Sequence, residues 1–131
     1  MIELRDVAKR FGSQVVLDGV TLTVNEGETL ALLGPSGTGK SVLLKSIIGL
    51  IRPDRGTVIV DGQNVALLKR DQLSKLRATI GYVFQNGALF DSMDVFENIR
   101  LGLTDHNQFA DMEFAKARVV ECLQQVNLNP D

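Results

Sequence analysis

Several residue types that usually announce a function are scarce in this chain. It has one cysteine, Cys122, and one histidine, His106, in 131 residues. A lone thiol closes no internal disulfide, so an oxidising compartment is not called for. Lys and Arg number 14 against 16 Asp and Glu, a formal net charge of -2. That balance lacks the basic excess of a general nucleic-acid binder. No apolar run is long enough to span a bilayer: Val42–Ile51 is interrupted by Lys45 and falls short of the ~20 residues required. Met1–Arg10 alternates charged and apolar residues, unlike a secretory signal. There is no internal repeat or low-complexity tract. What remains is an ordinary 44% hydrophobic chain of about one domain's length, read as a soluble cytoplasmic domain.

Strand and helix patterns alternate along it. Ile2, Leu4 and Val7 predict a first strand, Phe11-Gly12-Ser13 a turn, and Val15–Val24 a second strand with a bulge or turn at Asp18-Gly19. Thr29–Leu33, a short apolar run bounded by turn residues, reads as a strand buried on both faces. Gly39–Leu50 has helical spacing at Val42, Leu43, Ile47 and Leu50. Turn chemistry at Pro53–Gly56 and Asp61-Gly62 brackets a strand at Thr57–Val60. A short helix at Asp71–Arg77, a strand at Thr79–Phe84 and a helix at Val95–Leu103 follow. The last helix, from about Asp111 to Val126, aligns Met112, Ala115, Val119, Leu123 and Val126 on one face. The fold class is therefore α/β, with a β-rich first quarter.

One motif carries chemistry. Gly34-Pro35-Ser36-Gly37-Thr38-Gly39-Lys40-Ser41 fits G-x-x-x-x-G-K-[ST] at every position. It follows an apolar run and precedes a helical pattern, the context in which the motif has meaning. Glycines let successive amides turn toward one point, and the helix presents its unpaired N–H groups and positive dipole end there. Lys40 is placed to reach β- and γ-phosphates, and the Ser41 hydroxyl to reach Mg²⁺. No Asn-Lys-x-Asp guanine-reading segment is present, and Arg52 and Arg55 are thin support for the lid of a nucleotide kinase.

The flanking residues narrow the family. Gly19–Val24 leading to Gly27-Glu28, then Gly49-Leu50 through Pro53, Gly56 and Asp61-Gly62, then Ile80-Gly81-Tyr82-Val83-Phe84-Gln85 resemble, in order, the ATP-binding cassette (ABC) ATPases. The resemblance covers essentially all 131 residues. It implies a P-loop NTPase core with an N-terminal antiparallel β subdomain. It also implies ATP and Mg²⁺ as ligands, held by residues 34–41 with Val42. Phe11 matches the aromatic residue that stacks on adenine, with Val16 packing nearby, and Gln85 the glutamine that touches Mg²⁺ or the attacking water. Within the family, Gly87–Ile99 looks like the Mla/Mce-type phospholipid-transport ATPases, including toluene-tolerance proteins. The implied partners are a transmembrane permease contacting Gln85–Ile99 and a second ATPase subunit, at the cytoplasmic face of the inner membrane.

The chain also departs from that pattern. It contains no Leu-Ser-Gly-Gly-Gln-type signature and no apolar strand ending in Asp-Glu. No histidine stands at the switch position, because His106 comes too early for it. The expectation is an N-terminal portion of a longer ATPase, ending at the start of the helical subdomain. It should bind ATP, turn it over poorly and tend to self-associate through unpaired strand edges. The alternative is a non-catalytic ATP-responsive interaction module or inactive fragment. Cys122 is read as a packing residue, and His106 as an exposed loop residue.

Overall fold

The computed structural model describes residues 1–85, 87–103 and 110–130, in two compact units, 1–81 and 82–131. The reading of His106 falls outside the described residues. Among the described residues no helix is long and apolar enough to cross a membrane.

The first unit is built on an antiparallel sheet in the order β2-β1-β3-β4. Its strands are β1 (Ile2–Phe11), β2 (Gln14–Val24), β3 (Arg55–Val60) and β4 (Gln63–Asn64). The β1–β2 turn is tighter than its sequence implies, because Phe11 pairs with Gln14 and ends the strand. Leu4 and Val7 are both fully buried. Three residues apart, they would fall on opposite faces of a regular strand. A bulge between them corrects the phase: the register shifts, and Asp6 takes a φ of 50°. The Asp6 amide donates to Thr21 Oγ1 at 3.0 Å, and Arg55 donates to its carboxylate at 3.0 Å. Gly56 completes the fit, since a Cβ there would lie 2.2 Å from the Asp6 carbonyl oxygen.

Helix α1 (Lys40–Ile47) lays Leu43 and Ile47 into a core made with Leu4, Val7, Leu17, Val58 and Val60. Burial of each such side chain contributes about 1.5–3 kcal/mol. The helix stops short of the predicted Leu50, which is 49% exposed. Arg77 of α2 (Arg70–Ala78) explains the stop. Its guanidinium donates to the carbonyls of Ile48 and Gly49, both at 2.9 Å, and satisfies groups that the helix leaves unpaired. A one-turn 3₁₀ helix at Val65–Leu67 joins β4 to α2.

Two predicted strands are not strands here. Thr29–Leu33 and Thr79–Phe84 pair with no other strand among the described residues. Leu32 and Ile80 still pack on the core, yet Leu33 is 91% and Val83 92% exposed. An extended apolar segment becomes a strand only when a neighbour takes its backbone groups.

The second unit holds α3 (Val95–Arg100) and α4 (Met112–Gln125). Asp94 caps α3 by accepting from the Glu97 amide at 2.7 Å, and Glu97 accepts from the Asp94 amide at 3.1 Å. This helix is shorter than the predicted Val95–Leu103. On α4, Ala115 and Val119 are buried and Leu123 is half-buried, as its apolar face predicts. Met112 and Val126, predicted on the same face, lie exposed at the helix ends. Cys122 is half-buried and free.

Candidate functional site

The Gly34–Ser41 motif folds into a loop that enters α1. Its turn depends on Gly39, the residue before the helix, which has φ of 91° and is buried. A side chain there is excluded twice over. The φ lies in the left-handed region, and a Cβ would sit 2.6 Å from the Val16 carbonyl oxygen. Val16, predicted to pack near the site, is thus seated against the last glycine of the loop. Val42 sits half-buried against the core.

No side chain caps the start of α1, and its first turn holds no acidic residue. The first amides of a helix have no intrahelical partner. This end is therefore an open, electropositive cluster of donors. Lys40 folds back over the loop and donates from Nζ to the carbonyls of Gly34 at 2.7 Å and Pro35 at 2.6 Å. Thr38 Oγ1 donates to the Pro35 carbonyl at 2.9 Å, closing the curl. Residues 34–38 and Ser41 remain solvent-exposed, so the donors and the ammonium are accessible.

The donor chemistry fits a polyphosphate. It fits Mg²⁺ in a narrower sense: Ser41 offers a hydroxyl, and the described residues contain no cluster of three acidic, His or Cys side chains. An ion held here would take most of its ligands from phosphate and water, as Mg²⁺ does at such sites.

Phe11 belongs to the same unit and is 48% exposed at the end of β1. Sequence reasoning missed its neighbours. Lys9 Nζ lies over the ring, 5.4 Å from its centroid, and donates to Asp54 Oδ1 at 2.8 Å. The other Asp54 oxygen accepts the Arg10 amide at 2.8 Å. The lysine hydrogen bond, and then the amide, hold the Asp54 carboxyl below its ordinary value of 3.8. Lys9 and Asp54 are 45 residues apart, so no local pattern could have signalled the pair. A cavity of about 380 Å³ beside the carboxyl end of α1 is lined by Ser46, Gly49, Asp54 and Leu73 among others, and by no residue of the loop.

Gln85 belongs to the second unit, where it is exposed and follows an edge-on contact between the Tyr82 and Phe84 rings, 4.6 Å apart. Beyond it, Asn98 ties the chain into a fixed loop. Its Oδ1 accepts the Phe90 amide at 2.8 Å, and its Nδ2 donates to the carbonyls of Phe90, Met93 and Asp94 at 3.2, 3.1 and 2.9 Å. Asn98 stands among residues whose family likeness was noted, but its bonding role left no sequence signal. Leu89, Phe90 and Val95 are exposed, and a groove of about 550 Å³ between α3 and α4 is lined by Val95, Phe96, Val119 and Leu123.

A glycine-built loop opening the uncapped α1 defines the class, a P-loop nucleotide-binding protein. The sequence profile described as ABC transporter matches residues 17–131, and the chain belongs to that family. It is 43% identical over 130 residues to "Probable ribonucleotide transport ATP-binding protein mkl" of Mycobacterium leprae, covering 99% of this chain and 37% of that protein. It is 40% identical over 108 residues to "Intermembrane phospholipid transport system ATP-binding protein MlaF" of Escherichia coli K12, covering 82% of this chain and 40% of that one. The fold is similar to the cassette MJ0796, solved as a dimer in a post-hydrolysis state bound to ADP and Pi. The TM-score is 0.82 at 32% identity, over 98% of this chain and 58% of that one. The chain thus spans about two-fifths of the length of these curated relatives.

Proposed function

We propose that this chain is the ATP-binding part of a transport ATPase, with residues 34–41 and Val42 gripping the nucleotide's phosphates. The observation that carries the reading is the exposed, uncapped start of α1 with Lys40 folded over it. In this reading Lys40 exchanges its two neutral loop carbonyls for β- and γ-phosphate oxygens and gains a charged partner. Ser41 would hold Mg²⁺ through its hydroxyl, and the ion would neutralise phosphate charge when bound. Phe11 stacks on adenine, and Val16 backs the loop. On the family resemblance alone, Gln85 of the second unit would be the glutamine that addresses the metal or the attacking water.

Positioning and electrostatic stabilisation supply nearly all of phosphoryl-transfer catalysis. The 131 residues contain no acidic pair after an apolar strand and no signature segment. This segment alone therefore binds Mg-ATP and hydrolyses it near background, while the whole protein, paired with a second ATPase subunit, turns it over. Calorimetry tests the binding: saturable heat with Mg-ATP in the parent, and a much weaker signal in Lys40→Ala. No heat at millimolar nucleotide from folded material ends the reading.

The segment Gln85–Ile99 is the surface for a transmembrane permease at the cytoplasmic face of the inner membrane. Support comes from exposed Leu89, Phe90 and Val95 and from the apolar groove between α3 and α4. The cargo is phospholipid in this reading, on the likeness of Gly87–Ile99 to the Mla/Mce type and the name of MlaF, although the mkl name points to ribonucleotides. Transport of labelled phospholipid and ribonucleotide by membranes carrying the whole system separates the two. Exposed Leu30 and Leu33, in a segment with no strand partner among the described residues, favour self-association of this segment. A monomer by sedimentation at calorimetric concentrations contradicts that part.

A further inference from the structure

Phe11 has two ring faces, and the structure treats them differently. One carries the Lys9 ammonium, 5.4 Å from the centroid. That ammonium is not free to leave for water. Its side chain is 16% exposed and is bonded to Asp54 Oδ1 at 2.8 Å. Asp54 in turn grips the strand on either side of Lys9: its Oδ2 accepts the Arg10 amide at 2.8 Å, and its own amide donates to the Ala8 carbonyl at 2.9 Å. One residue from the turn before β3 therefore bonds the three residues that immediately precede Phe11. Both Asp54 oxygens are engaged, and the lysine and amide bonds hold its carboxyl below its ordinary value.

An ammonium over an aromatic face is attracted by the ring quadrupole and occupies the place a stacked base would take. A base can then stack only on the opposite face. An unrestrained phenylalanine at a strand end would instead sample several rotamers and lose entropy on binding.

We propose that Asp54 and Lys9 clamp the Phe11 ring so that one face alone is open to a nucleobase, which makes Asp54 a positioning residue for base recognition. The proposal rests on the reading of Phe11 as the base platform. It adds a residue outside the phosphate loop, reached through a turn 43 positions further along the chain. Asp54 touches no part of the nucleotide and acts only through Lys9 and the strand.

The experiment compares Mg-ATP with magnesium tripolyphosphate, which has the phosphate tail and no base, by calorimetry on this chain. Phe11→Ala comes first and should lower the ATP-to-tripolyphosphate affinity ratio severalfold; an unchanged ratio overturns the platform and the clamp together. With that loss in hand, Asp54→Asn should lower the ratio about threefold, less than the full stacking contribution, and leave tripolyphosphate binding unchanged. Asp54→Glu should restore part of the ratio, and Asp54→Asn should add nothing in a Phe11→Ala background. Lys9→Met, which keeps the stem and removes the charge, gives the same reading should Asp54→Asn fail to fold. If Phe11→Ala lowers the ratio while Asp54→Asn and Lys9→Met leave it untouched, or weaken both ligands alike, the clamp is overturned and the platform stands.

Discussion

The Val16 carbonyl oxygen and Gly39 are packed so closely that a methyl group on Gly39 would lie 2.6 Å from that oxygen. This contact joins the antiparallel sheet to the phosphate loop. It means the loop's shape is set by β2 as well as by its own glycines.

Gly39→Ala should therefore damage fold and binding together. A non-glycine residue at φ of 91° costs on the order of 1–3 kcal/mol in strain, and the clash adds to it. A thermal midpoint several degrees lower, with Mg-ATP binding lost, is the expected result. An unchanged midpoint would show that β2 and the loop can separate freely.

Lys40→Ala should behave differently. Its ammonium bonds to the Gly34 and Pro35 carbonyls and to Thr38 Oγ1, all within the exposed loop, so stability changes little. Mg-ATP affinity should fall by about 1.5–3 kcal/mol, the range for charge-assisted hydrogen bonds and roughly ten- to hundredfold. Equal affinity in variant and parent, measured by calorimetry, removes the site assignment.

Asn98→Ala strips four hydrogen bonds from the loop that ends at α3. Leaving the part-buried Met93 carbonyl without its donor costs about 1–3 kcal/mol. Hydrogen exchange reads it locally: the Phe90 amide should exchange much faster, while amides of β1 and β3 keep their protection. Uniform acceleration across both units would contradict a local role.

Acid should weaken the first unit through two carboxyls. Glu3 is held below its ordinary 4.5 by its hydrogen bond to Arg5, and Asp54 below 3.8 by Lys9 and then the Arg10 amide. A carboxylate with a lower pKa folded than unfolded stabilises above its unfolded value, and that stability is lost as pH falls through the folded one. The thermal midpoint should hold above pH 4.5 from these two groups and decline below 3.8. A Glu3→Gln, Asp54→Asn double variant should decline less steeply; parallel curves would assign the acid sensitivity elsewhere.

The phosphate loop was legible because its chemistry is local: eight consecutive residues, an apolar run before them and a helix after. Periodicity likewise located β1, β2, β3, α2 and α4 to within a few residues. It could not show that Phe11 ends a strand rather than opening a turn, because pairing with Gln14 decides that. It named Thr29–Leu33 and Thr79–Phe84 as strands because apolar extended segments look alike with or without a neighbour. The helix at Gly39–Leu50 was drawn too long, since Arg77, nearly thirty residues away, takes the carbonyls at its end.

From sequence alone come the family, the loop and the type of most local elements, since these depend on residues adjacent along the chain. Tertiary structure alone decided that Leu4 and Val7 share a face through the Asp6 bulge, that Val16 closes on Gly39, and that Asp54 reaches Lys9 beneath Phe11. Each depends on pairing or contact with a segment remote in sequence, fixed by how the strands fold back on one another, which no local pattern encodes.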